Sequence, residues 1–407
     1  MKITQIASLR TLKNIYYLII STSFNAATGL LVVVLFTNYA TKELYGQYNY
    51  ILAILALFSI FSIQGLPVAI VNSVSEGHEG DFIRGSLLRI KYSILGAICL
   101  VIFSFYYVVK AENQIFYAFI LACIPYIFYF SLNHIDSYYI GKKKYYNVML
   151  FRVVVSLINL ASVFVCIFYL KKLVYFIVFH LGFISIFYII NYLLIKKNIA
   201  DKNSFDPKFI SFAKNMTLLG VMGQIVSNID KIIIGAFFGY KELAVYSIGL
   251  LLHSQLKRGY QILVNIVQPN AVKYDLKNAF SIYNKKLLFF YPILIIIFLL
   301  GFYLIPSLIP ILFTVKYNAS IVYAQLFLLP TFLGVPGWIY DTILRAHQLS
   351  RQLYFIRVIS YIIMIVSLIF GAYLFGIKGI IISRIMLTLS GTIVGYIIIN
   401  RKVMKSD

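Results

Sequence analysis

The sequence predicts an all-α, polytopic membrane protein: about twelve transmembrane helices in two pseudo-symmetric six-helix lobes. Three observations carry this. Hydrophobic residues make up 61% of the 407 and charged residues only 12%, more apolar surface than a water-soluble fold of this length can hide. The charges cluster between apolar runs. The two halves of the chain also echo one another.

A bilayer core takes about 20 apolar residues per helix. On that length the spans read 15–37, 48–74, 90–109, 114–135, 147–170, 173–195, 212–238, 243–268, 287–305, 322–344, 355–375 and 379–400. The first run follows Lys2, Arg10 and Lys13, as the apolar core of a signal peptide would. At roughly 23 residues, with further spans behind it, it reads as a span instead.

The net charge of +23 raises nucleic acid as a partner, but the placement of the charge argues against one. Alternate segments, counted from the N-terminus, hold groups such as Arg84, Arg89 and Lys91; Lys142, Lys143 and Lys144; and Arg401, Lys402 and Lys405. The intervening segments hold single or paired lysines such as Lys42, Lys110 and Lys378. The balance is about 22 Lys and Arg against about 7, which reads as cytoplasmic against external. Both termini are therefore expected inside, in agreement with an even number of spans. Cys99, Cys123 and Cys166 all lie within apolar runs and have no metal-type spacing, so neither a disulfide nor a metal site is expected, and no cofactor.

The internal repeat is read from five matches in order. Lys42-Glu43-Leu44 answers Lys241-Glu242-Leu243, Pro67 answers Pro269, and Asp136 answers Asp341. Arg152 in "LFRVVVS" answers Arg357 in "FIRVISY", and Lys196-Lys197 answers Arg401-Lys402. The offset grows from 199 to 202 to 205 along the chain, as small insertions would produce. The expected lobes are 1–200, with spans one to six, and 201–407, with spans seven to twelve. Six spans per unit gives both units one orientation, related by an axis along the membrane normal, with a site at their interface.

The stretch "ELYGQYNYILAILALFSIFSIQGLPVAIVNSVSE" resembles the first-repeat signature of the polysaccharide biosynthesis (Wzx-type) flippases. "NIDKIIIGAFFGYKELAVYSIG" resembles their second-repeat signature, with Asp230, Gly235, Gly239 and Tyr246 in order. Those flippases belong to the multidrug/oligosaccharidyl-lipid/polysaccharide (MOP) exporter superfamily. The resemblance implies alternating-access transport of undecaprenyl-diphosphate-linked oligosaccharide, an O-antigen or capsule repeat unit, from the cytoplasmic to the periplasmic leaflet of a bacterial inner membrane. Membrane lipids and other polysaccharide-assembly proteins would be its neighbours. The twelve spans lack the additional helices of the lipid II flippases, which favours a surface glycan over a peptidoglycan precursor.

A diphosphate-linked sugar needs a polar, cationic cavity, and charges inside a membrane cost about 2.5–3.5 kcal/mol each on insertion scales. Lys257 and Arg258, mid-way through span eight, are the leading candidates to hold the diphosphate. Lys257 sits on a stripe with His253, Gln261 and Asn265 at every fourth residue, one helical face, and Arg258, roughly 100° around the helix, widens it. Span seven carries Gln224, Asn228 and Lys231 on a similar face, with Asp230 beside it. Lys231 is read either as attracting substrate or as balancing Asp230, and Asp230 either as a coupling site or as a structural contact. In the first repeat Asn25 and Gln64 are neutral candidates to line the cavity, or else interhelical hydrogen-bonders. Asp136 with Arg152, and Asp341 with Arg357, form either a gate or a fixed anchor. Arg384 lies deeper in span twelve, and the lone Trp338 sits in a Pro/Gly-broken part of span ten.

No P-loop, GxSxG or HExxH motif occurs, so no enzyme is expected. A glycan polymerase or ligase would need a sizeable external loop, and those here are short. The alternative transporter is a multidrug/toxin extrusion-type exporter, which would favour acidic residues in its cavity where this chain places Lys and Arg.

Overall fold

A computed structural model describes the backbone of residues 2–271, 274–347 and 349–404, and the side chains of these stretches except 2–12, 219 and 258–271. Every regular element among the described residues is helical. Two compact units form, Met1–Gly235 and Ala236–Asp407.

The first unit holds α1 (Lys2–Tyr39), α2 (Lys42–Phe58), α3 (Leu66–Ser75), α4 (Gly80–Val109) and α5 (Asn113–Leu132). It continues with α6 (Ile135–Gly141), α7 (Tyr145–Val165), α8 (Leu173–Asn198) and α9 (Phe209–Ile233). The Thr41 hydroxyl accepts from the Leu44 amide, and Glu43 sits in the first turn of α2. Side-chain cap and acid both favour a helix start. Packing runs α1 on α7, α4 on α5, α5 on α8, and α9 along α2 and α3. A buried aromatic group of Phe82, Tyr138, Phe151, Tyr188 and Tyr192 joins α4, α6, α7 and α8. Large apolar side chains such as Ile102, Phe105 and Ile124 face outward, as they do where the solvent is lipid.

The structure corrects two sequence expectations here. Span two, expected continuous over 48–74, breaks after a tight turn at Ser59–Ser62, where Ile63 takes a left-handed conformation (φ 51) before Pro67 opens α3. Arg89, counted among the loop charges, lies within α4 and is fully buried. Its Nε donates to the Ser62 carbonyl (3.0 Å) and its Nη2 to the Phe130 carbonyl (2.7 Å). Both acceptors sit where a helix ends, and a buried guanidinium supplies the donors that hydrocarbon cannot.

At the α3–α4 turn, Glu79 accepts from Tyr138 (2.6 Å) and from Lys142. Partial burial pushes the Glu79 carboxyl up, but those donors, with Lys142 and Lys144 nearby, outweigh it and hold its pKa below the ordinary value.

The second unit holds α10 (Tyr240–Ala271), α11 (Leu276–Phe313), α12 (Ser320–Leu333), α13 (Val335–Ala346) and α14 (Ser350–Met404). Gly334 separates α12 from α13 with a bend of 40°. Within α14 the helix is broken at Gly376 (φ 56, ψ −135), a conformation glycine adopts without steric cost. The chain turns back there, so that Gly371 and Gly379 meet backbone to backbone.

Among the described residues nine helices are long and apolar enough to cross a membrane, ten if α12 and α13 form one bent span. α14 counts once among these, although Gly376 divides it into two arms. α10, the least apolar of the long helices, is not among them and carries His253 and Lys257.

A Cβ on Gly379 would overlap the Gly371 backbone, whereas Gly182 in α8 has open space around it. Gly379→Ala should therefore lower the thermal unfolding midpoint in detergent, by the equivalent of about 1–3 kcal/mol of overpacking. Gly182→Ala should leave it unchanged or raise it, since alanine favours a helix by roughly 1 kcal/mol.

Candidate functional site

Within the second unit lies a cavity of about 630 Å³. Helical periodicity builds its walls. From α10 come His253 and Lys257, one turn apart. Gly334, Trp338 and Thr342, with Gly337, Asp341 and Arg345, form two adjoining rows at the bend and along α13. The first arm of α14 supplies Arg357, Ser360 and Tyr361, and the second Arg384, Thr388 and Thr392. The two glycines make the approach of this second arm possible. A Cβ on Gly337 would come within 2.5 Å of the Thr392 hydroxyl, and one on Gly334 within 2.7 Å of the Thr388 methyl.

Among the described residues, four cations, Lys257, Arg345, Arg357 and Arg384, share the cavity with one carboxylate, Asp341. Asp341 Oδ2 accepts from Arg345 Nε (3.0 Å) and Nη2 (2.5 Å). Arg357 Nη2 stands 3.6 Å from the same oxygen. The lining is thus net positive by three with His253 neutral. His253 Nδ1 meets the Thr331 hydroxyl at 2.6 Å, and the same hydroxyl lies 2.8 Å from the Phe327 carbonyl. The arrangement suits a multiply charged anion: forked guanidiniums, a point-charge ammonium and hydroxyls.

The structure thus brings His253, Lys257, Asp341 and Arg357 together. Arg258 and Gln261 lie on α10, and their side chains fall outside the described residues, as does that of Asn265. The remaining candidates belong to the first unit. Gln64 donates to the carbonyl (2.5 Å) and hydroxyl (3.0 Å) of Ser59 at the break in span two, and Gln224 reaches the same hydroxyl at 3.3 Å. Asn228 donates to the Gln224 carbonyl (2.9 Å), and Asn25 to Ser156 on α7 (3.1 Å). Asp230 is fully buried and accepts from the backbone amide of half-buried Lys231 at 2.9 Å. Arg152 holds Asp136 through Nε (3.1 Å) and Nη2 (2.8 Å).

Arg345 falls just past the expected end of span ten at 344, and its fork on Asp341 is not among the pairings expected from the sequence. The repeat itself held the signal. At the offset of 205 that pairs Asp136 with Asp341 and Arg152 with Arg357, Arg345 falls opposite Ile140 and Arg384 opposite Phe179. Lys257 falls opposite an apolar residue within 55–58. Three of the four cations thus have no charged counterpart in the sister repeat, so the fold does not require them.

The model of one family, "Polysaccharide biosynthesis protein", matches residues 11–253, more than half of the chain. The chain belongs to this family. No curated protein matches its sequence. Among solved structures the chain is similar to an inward-facing multidrug-resistance MATE transporter of the MOP superfamily, with TM-score 0.69 at 11% identity over 95% of this chain and 98% of that one. An outward-facing MATE transporter of the same superfamily gives 0.62 at 11% identity, over 97% and 96%. A Vibrio cholerae MATE transporter gives 0.61 at 12%, over 100% and 99%. This family member is therefore a multi-pass membrane protein with the fold of these MATE transporters.

Trp338, the single tryptophan of the chain, stands on the cavity wall and reports on its potential. Iodide should quench its fluorescence at least about threefold more efficiently than caesium, since a cation-lined cleft concentrates anions. The preference should fall towards parity in Lys257→Ala/Arg384→Ala. Equal quenching by both ions in the wild type would show that the charges do not govern the cavity.

Proposed function

We propose that this protein is a flippase for undecaprenyl-diphosphate-linked oligosaccharide, an O-antigen or capsule repeat unit. It carries the unit from the cytoplasmic to the periplasmic leaflet of the bacterial inner membrane by alternating access. The observation that carries this reading is the cavity with four cations against one carboxylate, in a membrane protein of the polysaccharide biosynthesis family. A lipid diphosphate is at least doubly negative, and its sugars are hydrated. Arg345, Arg357 and Arg384 offer paired N–H donors to phosphate oxygens and Lys257 a mobile point charge. Thr388, Thr392 and Ser360 offer hydroxyls to sugar, and Trp338 an apolar face. The isoprenoid tail stays in hydrocarbon throughout.

The protein acts as a carrier and breaks no bond. Both termini lie in the cytoplasm, where the excess of Lys and Arg places them. Its partners are the lipid-linked oligosaccharide, surrounding lipids and other polysaccharide-assembly membrane proteins. The cation-exporter alternative is disfavoured by the cavity itself, because Asp341, the single acid among the described residues of its lining, is already engaged by Arg345.

The test is glycan display in a strain lacking the gene. A charge-assisted contact contributes about 1.5–3 kcal/mol, so Lys257→Ala/Arg384→Ala should cut display by roughly ten- to a hundred-fold at equal expression. Undecaprenyl-linked units should accumulate in the inner leaflet. Lys257→Arg/Arg384→Lys should restore most of the display. Undiminished display in the double alanine variant would remove the cavity from the reading, and display without the gene would overturn the function.

A further inference from the structure

The acidic member of a cavity built for anions calls for a physical reason. Asp341 opposes any incoming phosphate by charge, and it occupies guanidinium N–H groups that a phosphate would use. In the first repeat the equivalent Asp136 is held by Arg152 through two hydrogen bonds. In the second repeat the corresponding arginine, Arg357, stands 3.6 Å off. Arg345, opposite the apolar Ile140, has taken the fork on Asp341 instead. The substitution has two effects. It frees most of the Arg357 donors towards the cavity, and it keeps a carboxylate within it as an internal counter-ion.

We propose that Asp341 is a resident competitor that sets a charge threshold for the cavity, admitting diphosphates and rejecting singly charged phosphodiesters; this rests on the flippase reading above. A carboxylate and a phosphodiester each carry one negative charge, so a phosphodiester gains little by displacing Asp341 from Arg345 and Arg357. A diphosphate carries at least one further charge and more acceptor oxygens, and it outcompetes the carboxylate. Bulk membrane lipids carry phosphodiester headgroups at far higher concentration than any lipid-linked sugar, and a cavity of bare cations would fill with them. On release the same carboxylate returns to Arg345, so that this guanidinium regains its counter-ion. Arg345 is then the positioning residue, holding Asp341 where it competes without neutralising Arg357.

The experiment uses the full chain in nanodiscs of phosphatidylcholine, with Trp338 fluorescence reporting titrations of inorganic pyrophosphate and of dimethyl phosphate. The wild type should bind pyrophosphate and discriminate strongly against dimethyl phosphate. Asp341→Asn should bind both more tightly, with the gain for dimethyl phosphate about tenfold larger than that for pyrophosphate, so that the selectivity ratio falls. Arg345→Ile, which installs the sister repeat's residue, should let Arg357 close on Asp341 and weaken pyrophosphate about tenfold or more. Adding Asp341→Asn to it should recover much of that loss. A merely structural ion pair would move the melting temperature and leave the selectivity ratio where it was.

An unchanged ratio in Asp341→Asn, with pyrophosphate still bound, overturns the threshold and leaves the flippase reading standing. No pyrophosphate binding by the wild type overturns both. If Asp341→Asn does not fold, Arg345→Ile decides alone, and wild-type pyrophosphate affinity in it overturns the proposal.

Discussion

Hydrocarbon offers a backbone amide or carbonyl no partner, so every break in a membrane-embedded helix must be satisfied from within the protein. The rest of this structure follows from how its breaks are met. In the first unit the break after Ser62 and the end of α5 are stitched together by one buried side chain, Arg89, bonded to the Ser62 and Phe130 carbonyls. Gln64 and Gln224 on the Ser59 hydroxyl, and Thr217 accepting from the Gly65 amide at 3.1 Å, complete the seam.

The second unit handles a similar break in the opposite way. Where α5 gives way to α6, the gap is closed by Arg89 and by His134, whose Nε2 meets Ser86 at 3.0 Å. Where α12 gives way to α13, Gly334 and Gly337 admit the second arm of α14 and a cavity remains beside them. One repeat uses its broken helix to seal, the other to open. Cations then occupy positions that are apolar in the sister repeat, and the cost of holding them at membrane depth is offset by what they bind.

A repeat inherited twice imposes the same backbone on both halves, whereas the side chains are free to diverge. That divergence separates scaffold from site. Asp136–Arg152 and Asp341–Arg357 occur in both halves and sit close to helix breaks or ends. Lys257, Arg345 and Arg384 occur in one half alone, and all three face the cavity.

The sequence by itself determined the class of solvent, the helical fold and most spans, because each is a property of one segment: about 20 apolar residues make a span whatever surrounds them. The candidacy of His253 and Lys257 was legible for the same reason, because their one-turn spacing puts them on one face. Only the tertiary structure decided which polar residues face a cavity and which face each other. Gln64, Gln224 and Asn25 look as suitable for substrate as Thr388 and Thr392, yet the first three bond to other side chains of the first unit, Ser59 and Ser156, whereas the last two donate to carbonyls of their own helix and line the cavity. Arg89 reads as a loop charge until α4 is seen to begin at Gly80 and carry it into the core. The fork of Arg345 on Asp341 spans a single helical turn, but its competition with Arg357 arises only where α14 packs on α13. Pairing depends on which helices meet, and in a membrane that is settled by small residues such as Gly334, Gly337 and Gly379, whose hydropathy says nothing of their partners.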